Sequence, residues 1–243
     1  MTTWYESRII KIEAASPTVR RFWLEIEEPN EPPFAFRAGQ FVTFDLPISE
    51  RRQKRWRSYS IANAPENDGR VLEFCVVKME GGAGSTFLFE GIEIGSKIKF
   101  RGPDGAFFLP ETIETDLVFI ATGTGVAPFR SMIFDLKNTT QPHKNLHLIF
   151  GTRTADGILY RSEFEKLAAE DPRFRFDVAL SRDPNWAGTQ GHVHQIYLEN
   201  YATARPDVHF YLCGWSNMID EAVANLLVRL GYERGQIHYE LYG

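Results

Sequence analysis

The sequence predicts two domains of different class: an N-terminal antiparallel β-barrel followed by a C-terminal α/β domain on a parallel sheet. Three observations carry that reading. Short segments rich in β-branched and aromatic residues, separated by turn residues, fill the chain up to about residue 110. Beyond that point apolar runs alternate with helical patterns. The first of those runs ends in a glycine-rich turn that opens a helix.

In the first part the strand-like segments are residues 8–12, 19–26, 40–46, 71–77 and 97–100. Glycines within 81–84 end one strand, and residues 85–90 are long enough for one short helix. Strands at this spacing predict a barrel or sandwich. In the second part apolar runs at 117–121, 146–150, 174–180 and 208–213 alternate with helical patterns at 127–137, 160–170 and 216–230, which is the order of βαβ units. The change of rhythm falls within 110–115, so the expected domains are 1–111 and 112–243. There is no internal repeat or low-complexity tract.

Composition narrows the function classes. Hydrophobic residues make up 43% and charged residues 24%, an ordinary globular balance. The net charge of -5 argues against general nucleic-acid binding, which needs a basic footprint. Cys75 and Cys213 are the two cysteines, far apart and each in an apolar stretch, so neither a disulfide framework nor a cysteine-ligated metal or iron–sulfur site is expected. Residues 1–11 carry charges where a signal peptide needs an apolar core, and no apolar run approaches a membrane span. The expectation is a cytoplasmic protein in a reducing compartment, with no membrane partner.

Residues 117–132, LVFIATGTGVAPFRSM, read as strand, turn and helix. Gly123 and Gly125, flanking Thr124, let the backbone turn tightly and approach a pyrophosphate, while helix N-terminal amides face the anion. Pro128 suits a first helical turn, where its missing N–H removes no helical bond. The third glycine of the GxGxxG fingerprint is missing. A ligand-free turn is the weaker reading, because this turn opens the first βα unit of the parallel half, where ligands usually sit.

Five further motifs accompany this turn: RSYS at 57–60, GGAGST at 81–86, GPDGAF at 102–107, CGWSNM at 213–218 and ELY at 240–242. Together and in this order they make the chain resemble the ferredoxin-NADP reductase superfamily, which pairs an FAD-binding barrel, here 1–111, with an NAD(P)-binding α/β domain, here 112–243. The resemblance implies that Arg57 contacts the FAD pyrophosphate, Tyr59 packs on the isoalloxazine and Ser60 sits near its N5, with Ser58 in the same signature. Arginine offers a planar fork to phosphate oxygens, and tyrosine an apolar face with a polar tip. Gly84, Ser85 and Thr86 would form a second anion site, the two hydroxyls capping the short helix. Lys78 resembles a flavin-contacting strand position, a solvated lysine being the other reading.

On the nicotinamide side the resemblance places Arg153, Ser181 and Arg182 at strand ends lining the nucleotide cleft, the last two where NADP-dependent members meet a 2′-phosphate. Residues 186–193, WAGTQGHV, resemble a pattern shared by NADH- and NADPH-using members, so the choice of nucleotide stays open. Cys213 and Gly214 end the fourth strand, the cysteine beside nicotinamide C4 in the family, and Met218 completes that motif. Glu240 would help position the nicotinamide, and Tyr242 would cover the flavin and yield when nicotinamide stacks, although Gly243 extends the chain beyond the aromatic residue.

The implied chemistry is hydride transfer between NADPH or NADH and FAD, then single-electron exchange with a separate protein such as ferredoxin or flavodoxin. Arg51, Arg52, Lys54 and Arg55, just before RSYS, form a basic loop expected to steer such a partner. Alternatives are a reductase using flavin as a diffusing substrate and a flavin-binding electron-transfer subunit of a larger complex.

Overall fold

The computed structural model describes residues 3–27, 34–65 and 69–241. These form two compact units, one made of the residues up to Leu109 with Ala127–Thr139, the other of Pro110–Val126 and the residues from Thr140 onward.

The first unit holds β1 (Trp4–Ser16), β2 (Val19–Ile26), β3 (Phe41–Asp45), β4 (Trp56–Ser60), β5 (Val71–Val77) and β6 (Lys97–Asp104), antiparallel in the order β4-β3-β6-β1-β2-β5. The two outer strands are joined as well: Ile61 bridges Phe74, and the Ala62 amide donates to the Glu73 carbonyl at 2.8 Å. That bridge closes the sheet into the predicted barrel at one point of its outer strands. Strand β2 shows why the sequence folds this way, since Phe22, Leu24 and Ile26 alternate inward as a period of two requires. Inside, Tyr5 stacks on Phe100 with centroids 5.3 Å apart, and Phe44 meets Phe74 edge-on at 4.9 Å. Helix α1 (Ala83–Glu90) adds Leu88 to this core.

Helix α2 (Val126–Thr139) lies largely in the first unit, whereas the expected boundary at 111/112 assigned it to the second domain. Polar contacts explain its placement. Arg130 Nη1 donates to the Ala62 carbonyl at 2.8 Å and to Glu73 Oε2 at 3.1 Å, and Ser131 Oγ donates to the Asn63 carbonyl at 2.7 Å. Glu73 is only 2% exposed and also accepts from Arg21 Nε at 2.7 Å. A carboxylate this deeply buried is tolerable because two guanidiniums match it.

The second unit holds β7 (Asp116–Thr122), β8 (Leu146–Thr152), β9 (Phe174–Leu180), β10 (Thr189–Gln190), β11 (Val208–Gly214) and β12 (Ile237–Leu241), parallel in the order β10-β9-β8-β7-β11-β12. Helices α4 (Val193–Asn200) and α5 (Ser216–Ala224) pack Val193, Ile196 and Ile219 against Val118, Ile149, Phe210 and Leu212 on one face. Helix α3 (Arg161–Glu170) covers the other face, its Phe164 against Phe174 and Phe176. The predicted helix over 216–230 is α-helical to Ala224 and continues as a π turn over Asn225–Arg229. Chain order builds outward from β7 through β8 to β9, then returns to place β11 on the other side of β7. The point of reversal, outside the carboxyl ends of β7 and β11, is where open α/β sheets bind ligands.

Candidate functional site

In the first unit the RSYS strand and the GGAGST turn come together. A Cβ added to Gly84 would lie 2.8 Å from Arg57 Cγ and 3.2 Å from its Nε, so glycine is what lets the arginine lie across the first turn of α1. Arg57 Nη1 donates to the carbonyls of Trp56 at 2.7 Å and Lys54 at 3.1 Å. No side chain caps the N-terminus of α1. A guanidinium beside uncapped helix amides fits a diphosphate.

The expected capping role of Ser85 is replaced by another. Its buried hydroxyl accepts from the Met79 amide and donates to the Gly82 carbonyl, both at 3.0 Å, which ties the glycine turn to the helix. The cap position belongs to Gly82, and the Thr86 amide makes an ordinary helical bond to the Gly82 carbonyl at 2.9 Å. Tyr59 packs on Phe44 at 5.1 Å, and burial pushes its phenol up to about 12 against the opposing pull of Arg57. Ser58 Oγ lies 3.0 Å from Thr43 Oγ1, and Ser60 is buried at the end of β4 opposite Phe41. Lys78 is exposed and paired with Glu90 at 2.8 Å, holding that carboxyl below its ordinary range.

In the second unit the predicted turn is a single 3-10 turn, Gly123–Gly125, running into α2 with Pro128 buried in its first turn. Neither the turn nor α2 has a side-chain cap. Gly123 has φ 54°, which favours glycine. Gly125 is needed for a different reason. Its φ is -60°, but a Cβ there would run into the Cys213 carbonyl and come within 2.7 Å of Gly214 Cα. Gly214, with φ 145°, in turn lies so close to Thr122 that an added Cβ would sit 2.9 Å from the Thr122 amide nitrogen. The turn and the end of β11 are therefore packed backbone to backbone at the point where the sheet order reverses, a geometry that fits a second diphosphate.

Cys213 is buried and registers with Glu240 across β11 and β12, which puts both on one face of the sheet. Arg153, Ser181 and Arg182 are exposed and gathered at neighbouring strand ends: the Arg182 amide donates to the Arg153 carbonyl at 2.8 Å, and that of Ser181 to the Thr152 carbonyl at 3.1 Å. Met218 is brought to none of these groups and packs in the core of the second unit. Tyr242 lies outside the described residues. Two neighbours of the turn went unread in the sequence. Thr122 Oγ1 accepts from the Trp215 amide at 3.1 Å, and the Trp215 indole stands exposed beside Gly123. Its place within CGWSNM was the available signal. Among the described residues no cluster of three acidic, histidine or cysteine side chains could hold a metal, and no helix is long and apolar enough to cross a membrane.

Two family profiles match the chain. The profile of the oxidoreductase FAD-binding domain matches residues 6–109, and that of the oxidoreductase NAD-binding domain matches residues 119–224. The chain is similar to ferredoxin–NADP reductase B of Sorangium cellulosum, 36% identical across 98% of this chain and 97% of that protein. It is also similar to the phenol hydroxylase P5 protein of Acinetobacter pittii, 32% identical over 98% of this chain but spanning 65% of that longer protein. Among solved structures the Amycolatopsis cytochrome P450 reductase GcoB superposes with a TM-score of 0.87 at 29% identity, covering 99% of this chain and 70% of that one. FAD and a nicotinamide dinucleotide are thus the cofactors, and the chain belongs to the ferredoxin–NADP reductase superfamily as an FAD-dependent NAD(P)H oxidoreductase.

Proposed function

We propose that this oxidoreductase exchanges electrons between NADPH or NADH and a separate one-electron protein, a ferredoxin or flavodoxin. The observation that carries the reading is the end-to-end match with a relative named as a ferredoxin–NADP reductase, in which nearly all of both chains align. Residues 1–243 hold two cysteines, fewer than the four that ligate an iron–sulfur cluster, so these residues do not themselves ligate one. When bound, FAD accepts a hydride from reduced nicotinamide and releases electrons one at a time.

The protein's part is to hold and align. Arg57 and the first-turn amides of α1 neutralise the flavin diphosphate, Tyr59 supplies an apolar surface for the flavin ring, and Ser60 hydrogen-bonds at its reactive edge. The Gly123–Gly125 turn takes the diphosphate of the nicotinamide dinucleotide. Cys213 and Glu240 would orient the nicotinamide, with Tyr242 as the covering ring. Arg153, Ser181 and Arg182, exposed at neighbouring strand ends, are the residues that would meet the 2′-phosphate if the nucleotide is NADPH.

The basic loop before β4 supports the partner. Arg51, Arg52 and Lys54 are exposed on or beside a 3-10 turn, while Arg55 is spent on Asp45 at 2.7 Å. Exposed like charges next to the flavin strand raise the encounter rate of an acidic partner. The test combines stopped-flow flavin reduction by NADPH and by NADH with turnover on ferredoxin, flavodoxin and ferricyanide. Glutamate at positions 51, 52 and 54 is expected to slow the protein acceptors in a salt-dependent way and to spare ferricyanide; equal slowing of all acceptors refutes the steering role. The similarity to the phenol hydroxylase P5 protein favours a second reading, an electron-transfer subunit of a larger complex. Rapid turnover of the isolated chain with ferredoxin or flavodoxin decides against it.

A further inference from the structure

Trp215 stands where the reversal of sheet order concentrates donors. It is the N-cap residue of α5 and directly follows Gly214 at the carboxyl end of β11. Its backbone is fixed on both sides: the amide donates to Thr122 Oγ1 at 3.1 Å, and its carbonyl accepts from the Ile219 amide at 3.1 Å. Because Thr122 is also the N-cap of the glycine turn, Trp215 and that turn are held as one piece. The indole remains 55% exposed, although Gly214 immediately before it is buried. Its Nε1 lies 3.8 Å from the position a Cβ on Gly123 would occupy. Among the described residues no acceptor is bonded to that nitrogen, and an indole N–H can act only as a donor.

We propose that Trp215 is a positioning residue for the dinucleotide, its Nε1–H donating to the diphosphate carried by the Gly123–Gly125 turn. The inference rests on the reading that this turn takes the nicotinamide dinucleotide, and it adds a side-chain donor to a cradle otherwise made of backbone. Two uncapped helix starts, those of α2 and α5, follow the two strands that border the reversal, so the potential there favours an anion. An indole N–H open to solvent at that place exchanges water for the anion when it arrives.

The test uses Trp215→Phe, which keeps a ring and removes the donor, and Trp215→Ala, which removes both. FAD-loaded, oxidised protein is titrated by calorimetry with NAD+, NADP+ and ADP-ribose, the last retaining the diphosphate and lacking nicotinamide. Trp215→Phe is expected to weaken all three to a similar degree, by about 10- to 150-fold for one hydrogen bond to a charged group. Trp215→Ala is expected to weaken them at least as much, with FAD content and thermal midpoint unchanged in both. Indole emission excited at the red edge should be quenched by ADP-ribose in the wild type and lose that component in Trp215→Phe. Binding by Trp215→Phe within twofold of wild type overturns the proposal, as does a loss confined to the nicotinamide-bearing ligands. A wild-type protein that binds none of the three sinks the dinucleotide reading of the turn itself, a separate outcome.

Discussion

Gly125→Ala isolates the packing of the nucleotide turn from its conformation. Gly125 has φ -60° and ψ -10°, a helical conformation that alanine adopts freely. Judged on backbone alone, the substitution would stabilise the protein by about 0.4–1 kcal/mol through the unfolded chain. The contacts predict the opposite sign. The new methyl would run into the Cys213 carbonyl and lie 2.7 Å from Gly214 Cα, where carbon atoms prefer roughly 3.5–4.0 Å, so backbone must move by about 1 Å. Overpacking of that kind costs about 1–3 kcal/mol. Whether the strain is kept or relieved by shifting the turn, the diphosphate cradle no longer matches its ligand, and the same range corresponds to about 5- to 150-fold weaker binding. Calorimetric titration with NAD+ and ADP-ribose reads the affinity, and thermal unfolding reads the stability. Gly235→Ala is the internal control, since a Cβ there meets nothing within 4 Å, and it should bind like wild type. FAD content should be unaltered in both, because the flavin cradle lies in the other unit. A Gly125→Ala protein as stable as wild type with unchanged nucleotide affinity would refute the argument that this glycine is held by the close approach of β11.

Two more outcomes follow from the same geometry. Gly84→Ala places its Cβ 2.8 Å from Arg57 Cγ, a side chain able to swing aside, so the loss should be milder and fall on FAD: about three- to tenfold weaker retention, measured by flavin absorbance after dialysis, with NAD+ affinity intact. The second concerns acid. Burial holds His147, His194, His209 and His238 below the ordinary imidazole value of 6.5, in His147 despite the Asp177 carboxylate 2.9 Å from its Nε2. The unfolded chain therefore takes up protons below about 6.5 that the folded chain refuses, so the contribution of these groups is full above that pH and declines as pH falls toward their folded values. The thermal midpoint should drop between pH 7 and pH 5, and His147→Gln should flatten the slope; an unchanged slope would show that His147 does not carry it.

Much of the fold was legible because burial and period agree. The bounds predicted for Val19–Ile26, Val71–Val77 and Phe174–Leu180 match the strands, each an apolar or alternating run ended by turn residues. Helix α4 was not predicted, although Val193, His194, Ile196 and Tyr197 bury with helical spacing. It spans eight residues, short of the window over which that period is distinct, and two of its buried residues read as polar. They are buried because each satisfies the other, His194 Nδ1 lying 2.8 Å from Tyr197 Oη. Two-residue β10 carries no pattern at all. The burial of Glu73 was equally invisible: a charge inside β5 reads as an outward position until Arg21 and Arg130 arrive from β2 and α2.

The site shows where sequence reading stops for a physical reason. Gly123 and Gly125 stand two residues apart in one motif and look equivalent, yet they answer different demands. Gly123 is required by its own backbone angle, a local property that a strand–turn–helix context announces. Gly125 is required by Cys213 and Gly214, which reach it from a distant part of the chain only because β11 pairs with β7. The same pairing brings Trp215 to Gly123 and lets Thr122 hold both the turn and the start of α5. One strand pairing thus converts two separate motifs, GTG and CGW, into a single rigid cradle. Substitutions in either motif should consequently perturb the same ligand, and their effects should fall short of additive when Gly125→Ala and Trp215→Phe are combined, because residues that share one bound group do not contribute independently.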